Sequence, residues 1–137
     1  MQRDIRIGDV YLLDFTGTGS VQSGRRPAVV FQNNVGNQYS PNLVVFPLTS
    51  RIKKTSMPTH VLIRSSDSGL ACDSIVLCEN PQCVSKEQLG KYLCTLQDHY
   101  LKAIAAASIL ASSAISFMDL DAIIEVWHQA TELNTAS

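Results

Sequence analysis

The sequence predicts a mainly β domain with α: a small, strongly bent antiparallel sheet or barrel that carries helices on one side. Three observations lead there. Five or six short apolar, β-rich runs fill the chain up to Leu96, separated by long polar loops. From about Asp98 the texture changes to helical spacing rich in alanine. Strands come first and helices last, without the alternation that marks a parallel α/β sheet.

The elements follow in order. "GDVYLLDF" (8–15) reads as a strand opening after Gly8, and "TGTGSVQSG" (16–24) as a long loop of glycines and hydroxyls. "PAVVFQ" (27–32) reads as a buried strand with Pro27 at its first position, where a missing N–H does no harm. "NNVGNQYSPN" (33–42) is rich in turn residues. "LVVFPLT" (43–49) is a strand whose proline implies an edge or a bulge, and "SRIKKTSMP" (50–58) is a basic loop. "THVLI" (59–63), "DSIVLCE" (73–79) and "KYLCTL" (91–96) complete the sheet. "SKEQ" (85–88) is a capping box, in which Ser85 and Gln88 satisfy each other's free amides and start a helical turn. Leu101, Ile104, Ala105 and Ser108 mark one helix; Leu120, Ile123, Ile124 and Trp127 form the apolar stripe of a second. Residues 1–112 are assigned to the main domain, and 113–137 to a helical extension packed on it.

At 137 residues and 45% apolar content, the chain can bury a single real core. No run is long enough to span a bilayer, and "MQRDIRIGDV" lacks the apolar centre of a secretory signal. A cytoplasmic protein is expected. The net charge is −1, but residues 1–64 carry eight Lys/Arg against three Asp, and residues 65–137 three Lys against nine Asp/Glu. That polarity fits either an anionic partner on one face or ordinary solvated scatter. Cys72, Cys78, Cys83 and Cys94 lack the paired spacing of a zinc site and read as reduced core thiols. No metal or cofactor is expected.

Most familiar enzyme chemistries lack their residues. The basic half has three scattered aspartates instead of a carboxylate cluster, and His60, His99 and His128 stand far apart. No nucleophile elbow or P-loop occurs. What remains is arginine, hydroxyls and long loops. An arginine fork grips phosphate oxygens, and RNA supplies its own 2′-OH nucleophile, so the protein need only orient the strand and stabilise charge at phosphorus.

Here the sequence resembles the MazF/PemK family of toxin ribonucleases. The likeness runs through "GDVYLLDF", "SVQSGRRPAVVFQNNVGNQYSP", "FPLTSRIKKTSMPTHV" and "DSIVLCEN", over roughly residues 6 to 112. The resemblance implies an SH3-like β-barrel with C-terminal helices, assembled as a homodimer. It also implies metal-independent, sequence-selective cleavage of single-stranded RNA to 2′,3′-cyclic phosphate and 5′-hydroxyl ends. A cognate antitoxin would occupy the RNA groove.

Residue by residue, the arginine before proline in the family motif falls on Arg26 and the threonine of the strand end on Thr49, the two catalytic candidates. Ser20 and Gln22 match the first loop, with Val21 where relatives often place glutamate. Arg25 is either a further phosphate contact or a solvated neighbour. Asn33, Thr59 and His60 match motif positions that serve either RNA contact or turn and strand structure. Arg51, Lys53 and Lys54 are assigned to positioning the RNA backbone, and Ser50 to RNA binding. Two further classes stay open: a non-catalytic protein poison of the same fold, of the gyrase-binding type, and a degenerate RNA-binding module. "NPQCV" (80–84) departs from the family's usual continuation after Glu79.

Overall fold

A computed structural model describes residues 3–14, 24–52 and 57–136. Seven strands form one antiparallel sheet: β1 (Asp9–Asp14), β2 (Arg25–Val30), β3 (Asn42–Thr49), β4 (His60–Ile63), β5 (Ser74–Leu77), β6 (Gln82–Ser85) and β7 (Leu89–Thr95). Their order is β4-β5-β3-β2-β1-β7, with β6 also paired to β3. Among the described residues there are also four α-helices: α1 (Asn34–Tyr39), α2 (Ser65–Ser68), α3 (Asp98–Ala111) and α4 (Leu120–Ala136). The mainly β architecture with C-terminal helices is as expected. Helix α1 lies in a segment read only as turn-rich, and strand β6 in one to which the sequence reading assigned no element.

Period-two alternation divides the apolar residues between two clusters. Val10, Val29, Phe46, Leu48, Val61, Ile63 and Val76 face helix α3, which buries Tyr100, Ile104 and Ala107 against them. Tyr11, Leu13, Ala28, Val30, Leu43, Val45 and Val84 line the opposite side, where the sheet curls on itself. The buried face of α3 is thus rotated by about one position from the predicted stripe. The Tyr100 hydroxyl explains the offset: it accepts the Arg64 N–H at 3.0 Å and donates to Asp67, tying α3 to the end of β4 and to α2.

Strand β3 is central, not an edge, and its proline is accommodated by a change of partner. Asn42–Val45 pair with β6, and Leu48–Thr49 with β5. Pro47 falls in the gap between them. The Phe31 N–H donates to Val44 at 2.9 Å, so by alternation Ala28 and Pro47 form a non-hydrogen-bonded pair. The nitrogen of Pro47 therefore points away from β2, into that gap, and no ladder bond is lost.

The asparagine-rich run after β2 is a polar knot. Asn33 caps α1, its Oδ1 accepting the Gly36 N–H at 2.8 Å. The buried Asn37 side chain donates to Gln32 O and Asn34 Oδ1, while Asn34 Oδ1 also accepts the Ile7 N–H. The capping box predicted at Ser85 is present, with Ser85 N donating to Gln88 Oε1 at 2.8 Å. Cys78 and Cys94 are buried, but Cys72 and Cys83 are exposed. Burial pushes the Cys78 thiol up to about 12, so it stays protonated and serves as packing.

Gly90 shows how closely β7 approaches β1. A Cβ at this position would stand 2.9 Å from the carbonyl oxygen of Leu12, a backbone atom that cannot swing away. We expect Gly90→Ala to force the two strands apart and lower unfolding stability by about 1–3 kcal/mol, measured by urea titration.

Candidate functional site

Arg26 and Thr49 come to the same side of the sheet from neighbouring strands. Arg26 pairs with Leu13 of β1 and shares a face with Ala28 and Val30. On its other side, the β2–β3 pairing runs through Val30↔Val45, Val29↔Phe46 and Ala28↔Pro47. Two residues further in that register, Arg26 falls opposite Thr49, in a pair of the non-hydrogen-bonded type whose side chains approach most closely. Both are half-buried, and among the described residues Arg26 has no hydrogen-bond or ion-pair partner.

Thr49 is fixed by the turn it initiates. Its Oγ1 accepts the Arg51 N–H at 3.1 Å as the chain leaves β3, and Ile52 N then donates to Ser50 O. The hydroxyl hydrogen remains available to an acceptor outside. Ser50 and Arg51 follow at once, both exposed. Arg25 is exposed on the opposite face of β2 from Arg26, paired across the ladder with Asp14. Among the described residues, the half-buried Arg26 and the Thr49 hydroxyl thus share one face, with the exposed Arg51 in the turn that follows, an arrangement suited to a phosphodiester.

The remaining candidates divide. Asn33 spends its acceptor on the α1 cap, so it holds the crossover between β2 and β3. The Oγ1 of Thr59 is buried without a hydrogen-bond partner. His60 Nε2 lies 2.7 Å from Glu79 Oε2 and faces the groove beside α3. The row Thr49, Ile75, Leu62 crosses β3, β5 and β4, and His60 lies two residues from its end, opposite Leu77. Sequence reading missed Glu79 as the partner of His60, because a separation of 19 positions gives no spacing signal. Ser20, Gln22, Lys53 and Lys54 lie outside the described residues. Among the described residues no three His, Cys, Asp or Glu side chains converge to hold a metal ion, and no helix is long and apolar enough to cross a membrane.

A curled sheet of this order with a C-terminal helix packed on it is the fold of solved toxin structures. MazF from Deinococcus radiodurans superposes with a TM-score of 0.70 at 21% identity, over 82% of this chain and 99% of that one. An endoribonuclease in complex with its cognate antitoxin, from a mycobacterial species, gives a TM-score of 0.67 at 26% identity, over 80% and 95%. In sequence, the chain is 43% identical over 101 residues to the endoribonuclease MazF of Staphylococcus saprophyticus, covering 73% of this chain and 84% of that protein. Residues 6–111 match the family described as "PemK-like, MazF-like toxin of type II toxin-antitoxin system". The chain belongs to that family.

Proposed function

We propose that the protein is an endoribonuclease toxin that cuts single-stranded RNA by making the strand attack itself. The observation that carries this reading is Arg26: a half-buried guanidinium with no counter-ion among the described residues, one strand from the register position of Thr49. A cation held in that state is organised for an anion that arrives from outside.

In the reaction, the ribose 2′-oxygen attacks the adjacent phosphorus and loses its proton. The bond from phosphorus to the 5′-oxygen breaks, and that oxygen gains a proton. The products are a 2′,3′-cyclic phosphate and a 5′-hydroxyl. Arg26 remains a cation throughout and neutralises the charge that grows on the five-coordinate phosphorus. Thr49 donates its hydroxyl to a non-bridging oxygen and aligns the phosphate. Ser50, Arg51, Lys53 and Lys54 hold neighbouring phosphates, Ser20 and Gln22 contact the RNA from the first loop, and Arg25, on the other face of β2, is a solvated neighbour. Thr59 and His60 border the strand's path beside β5. The active form is a homodimer in the cytoplasm, and a cognate antitoxin silences it by covering the same groove; the antitoxin complexes of the structural relatives support that partner.

Incubation of purified protein with a long RNA in the presence of a chelator tests the reading. Discrete fragments are expected, with 5′ ends that a kinase labels without prior phosphatase and 3′ ends that carry cyclic phosphate. Intact RNA at high protein concentration, or fragments with 5′-phosphates, would overturn it.

A further inference from the structure

Helix α4 lies beyond the family match, which ends at residue 111, and the stripe predicted to pack on the domain is exposed. Leu120 and Trp127 are 71% and 69% exposed, and Ile123 and Ile124 are 39% and 44% exposed. These four recur at i, i+3, i+4 and i+7, the pattern by which an amphipathic helix enters a groove. A contiguous apolar face of this kind marks an interaction surface.

The same chain carries a matching groove. Between β4 and α3 an open cleft is lined by Pro58, Leu62, Ala103, Ala106 and Leu110. The alanines leave room for a helix to approach closely, because interaxial distance follows side-chain size. Charge also matches. No Lys or Arg follows Lys102, and the extension carries Asp119, Asp121, Glu125 and Glu132. Next in sequence to its lining residues stand Lys102, one residue before Ala103 on α3, and Arg64, two residues after Leu62 of β4, each in an exposed ion pair, with Asp98 and Asp73. Exposed pairs of that sort exchange partners at little cost.

The connector decides which groove α4 can use. Ser113 takes a left-handed conformation (φ 59°), a 3₁₀ turn follows over Ala114–Phe117, and Ser112, Ser113 and Ser116 are each hydrogen-bonded back along it. Beyond this ordered turn every described side chain of α4, residues 120–132, is exposed. Folding back would require the connector to be rebuilt, whereas a second copy can offer its groove with neither chain rearranged. We propose that α4 docks in the β4/α3 groove of a second copy, reciprocally about a two-fold axis. The claim adds a contact to the homodimer reading, and its groove shares His60 with the RNA path proposed above.

Trp127 is the single tryptophan, so intrinsic fluorescence reports on α4 alone. The test follows emission of the full-length protein through a dilution series, with mass measured by light scattering on the same samples. Emission should shift to the blue with the same midpoint at which mass doubles. Ala106→Glu, which puts bulk and negative charge into the groove at an exposed helical position, should raise that midpoint by about tenfold or more. Doubled mass with unshifted emission would overturn the proposal, since the copies would then meet elsewhere. So would blue emission that survives dilution to monomer, which would place α4 on its own body, or a midpoint unchanged in Ala106→Glu. A protein that remains monomeric at every concentration would overturn both this proposal and the homodimer. Because no RNA is present, none of these outcomes bears on cleavage, which is scored separately on the same variant.

Discussion

Arg26→Ala is expected to lose RNA cleavage by a factor on the order of 10²–10³, about 2.7–4 kcal/mol of transition-state stabilisation, while keeping its fold. The two halves of that expectation rest on one observation. Arg26 is half-buried and makes no ion pair or hydrogen bond among the described residues, so its removal orphans no partner among them and leaves the core clusters intact. Its value is reserved for the phosphate. Arg26→Lys keeps the charge but loses the planar fork, and should recover only part of the rate. Thr49→Ala should cost less than Arg26→Ala, and part of that loss is structural, because the Arg51 N–H loses its acceptor. Thr49→Ser, which keeps the acceptor, should restore the turn and much of the rate. Single-turnover cleavage measured beside thermal melts separates these effects. An unchanged rate in Arg26→Ala would remove the guanidinium from the mechanism; a lost rate accompanied by a collapsed melt would make it structural.

Six of the seven strands were legible because their apolar residues alternate or run continuously between clear turn signals. Strand β6 was not: it has four residues, only Val84 is buried, and Cys83 is exposed. Its existence depends on pairing with the first half of β3, a long-range fact that no local pattern carries. Helix α1 was hidden for a related reason. Its six residues have poor helix propensity, and what holds them is the Asn33 cap together with the Asn37 side chain. At the site, the motif likeness pointed to Arg26 and Thr49 as a pair, but it gave no reason for their being neighbours. That reason is the β2–β3 register, which depends on two strands separated by a helix. The pairing of His60 with Glu79 and the engagement of Asn33 were equally beyond reach, since each is set by tertiary placement.

Asp9 is the sharpest case of a residue whose pattern misled, and its removal should have the largest effect on stability. At a strand boundary a carboxylate reads as an ordinary solvated residue, yet Asp9 is fully buried. Its Oδ1 accepts from Thr95 Oγ1 at 2.7 Å and Arg3 Nη2 at 3.2 Å; its Oδ2 accepts from Arg6 N at 2.9 Å and Tyr11 OH at 3.5 Å. Arg3 in turn stacks 4.0 Å above the Tyr92 ring, whose hydroxyl meets Thr95 at 2.7 Å. The network ties the N-terminal segment to β1 and β7. Burial, then the Asp9 charge, holds the Tyr11 phenol above its ordinary range, so it remains a donor. Asp9→Ala strips an acceptor from several donors at once and should cost about 2–4 kcal/mol, equivalent to a melting point lower by about 10 °C for a domain of this size. Arg3→Ala should cost far less, because that side chain is 44% exposed and the pair it breaks is half in water. If the two substitutions prove equal, the carboxylate is not the hub. Asp9 also lies four residues from Leu13, the cross-strand neighbour of Arg26, or about 13 Å along β1. The folded fraction of Asp9→Ala should therefore cleave at the native rate, the reverse of Arg26→Ala, so the two variants separate what maintains the sheet from what acts on the phosphate.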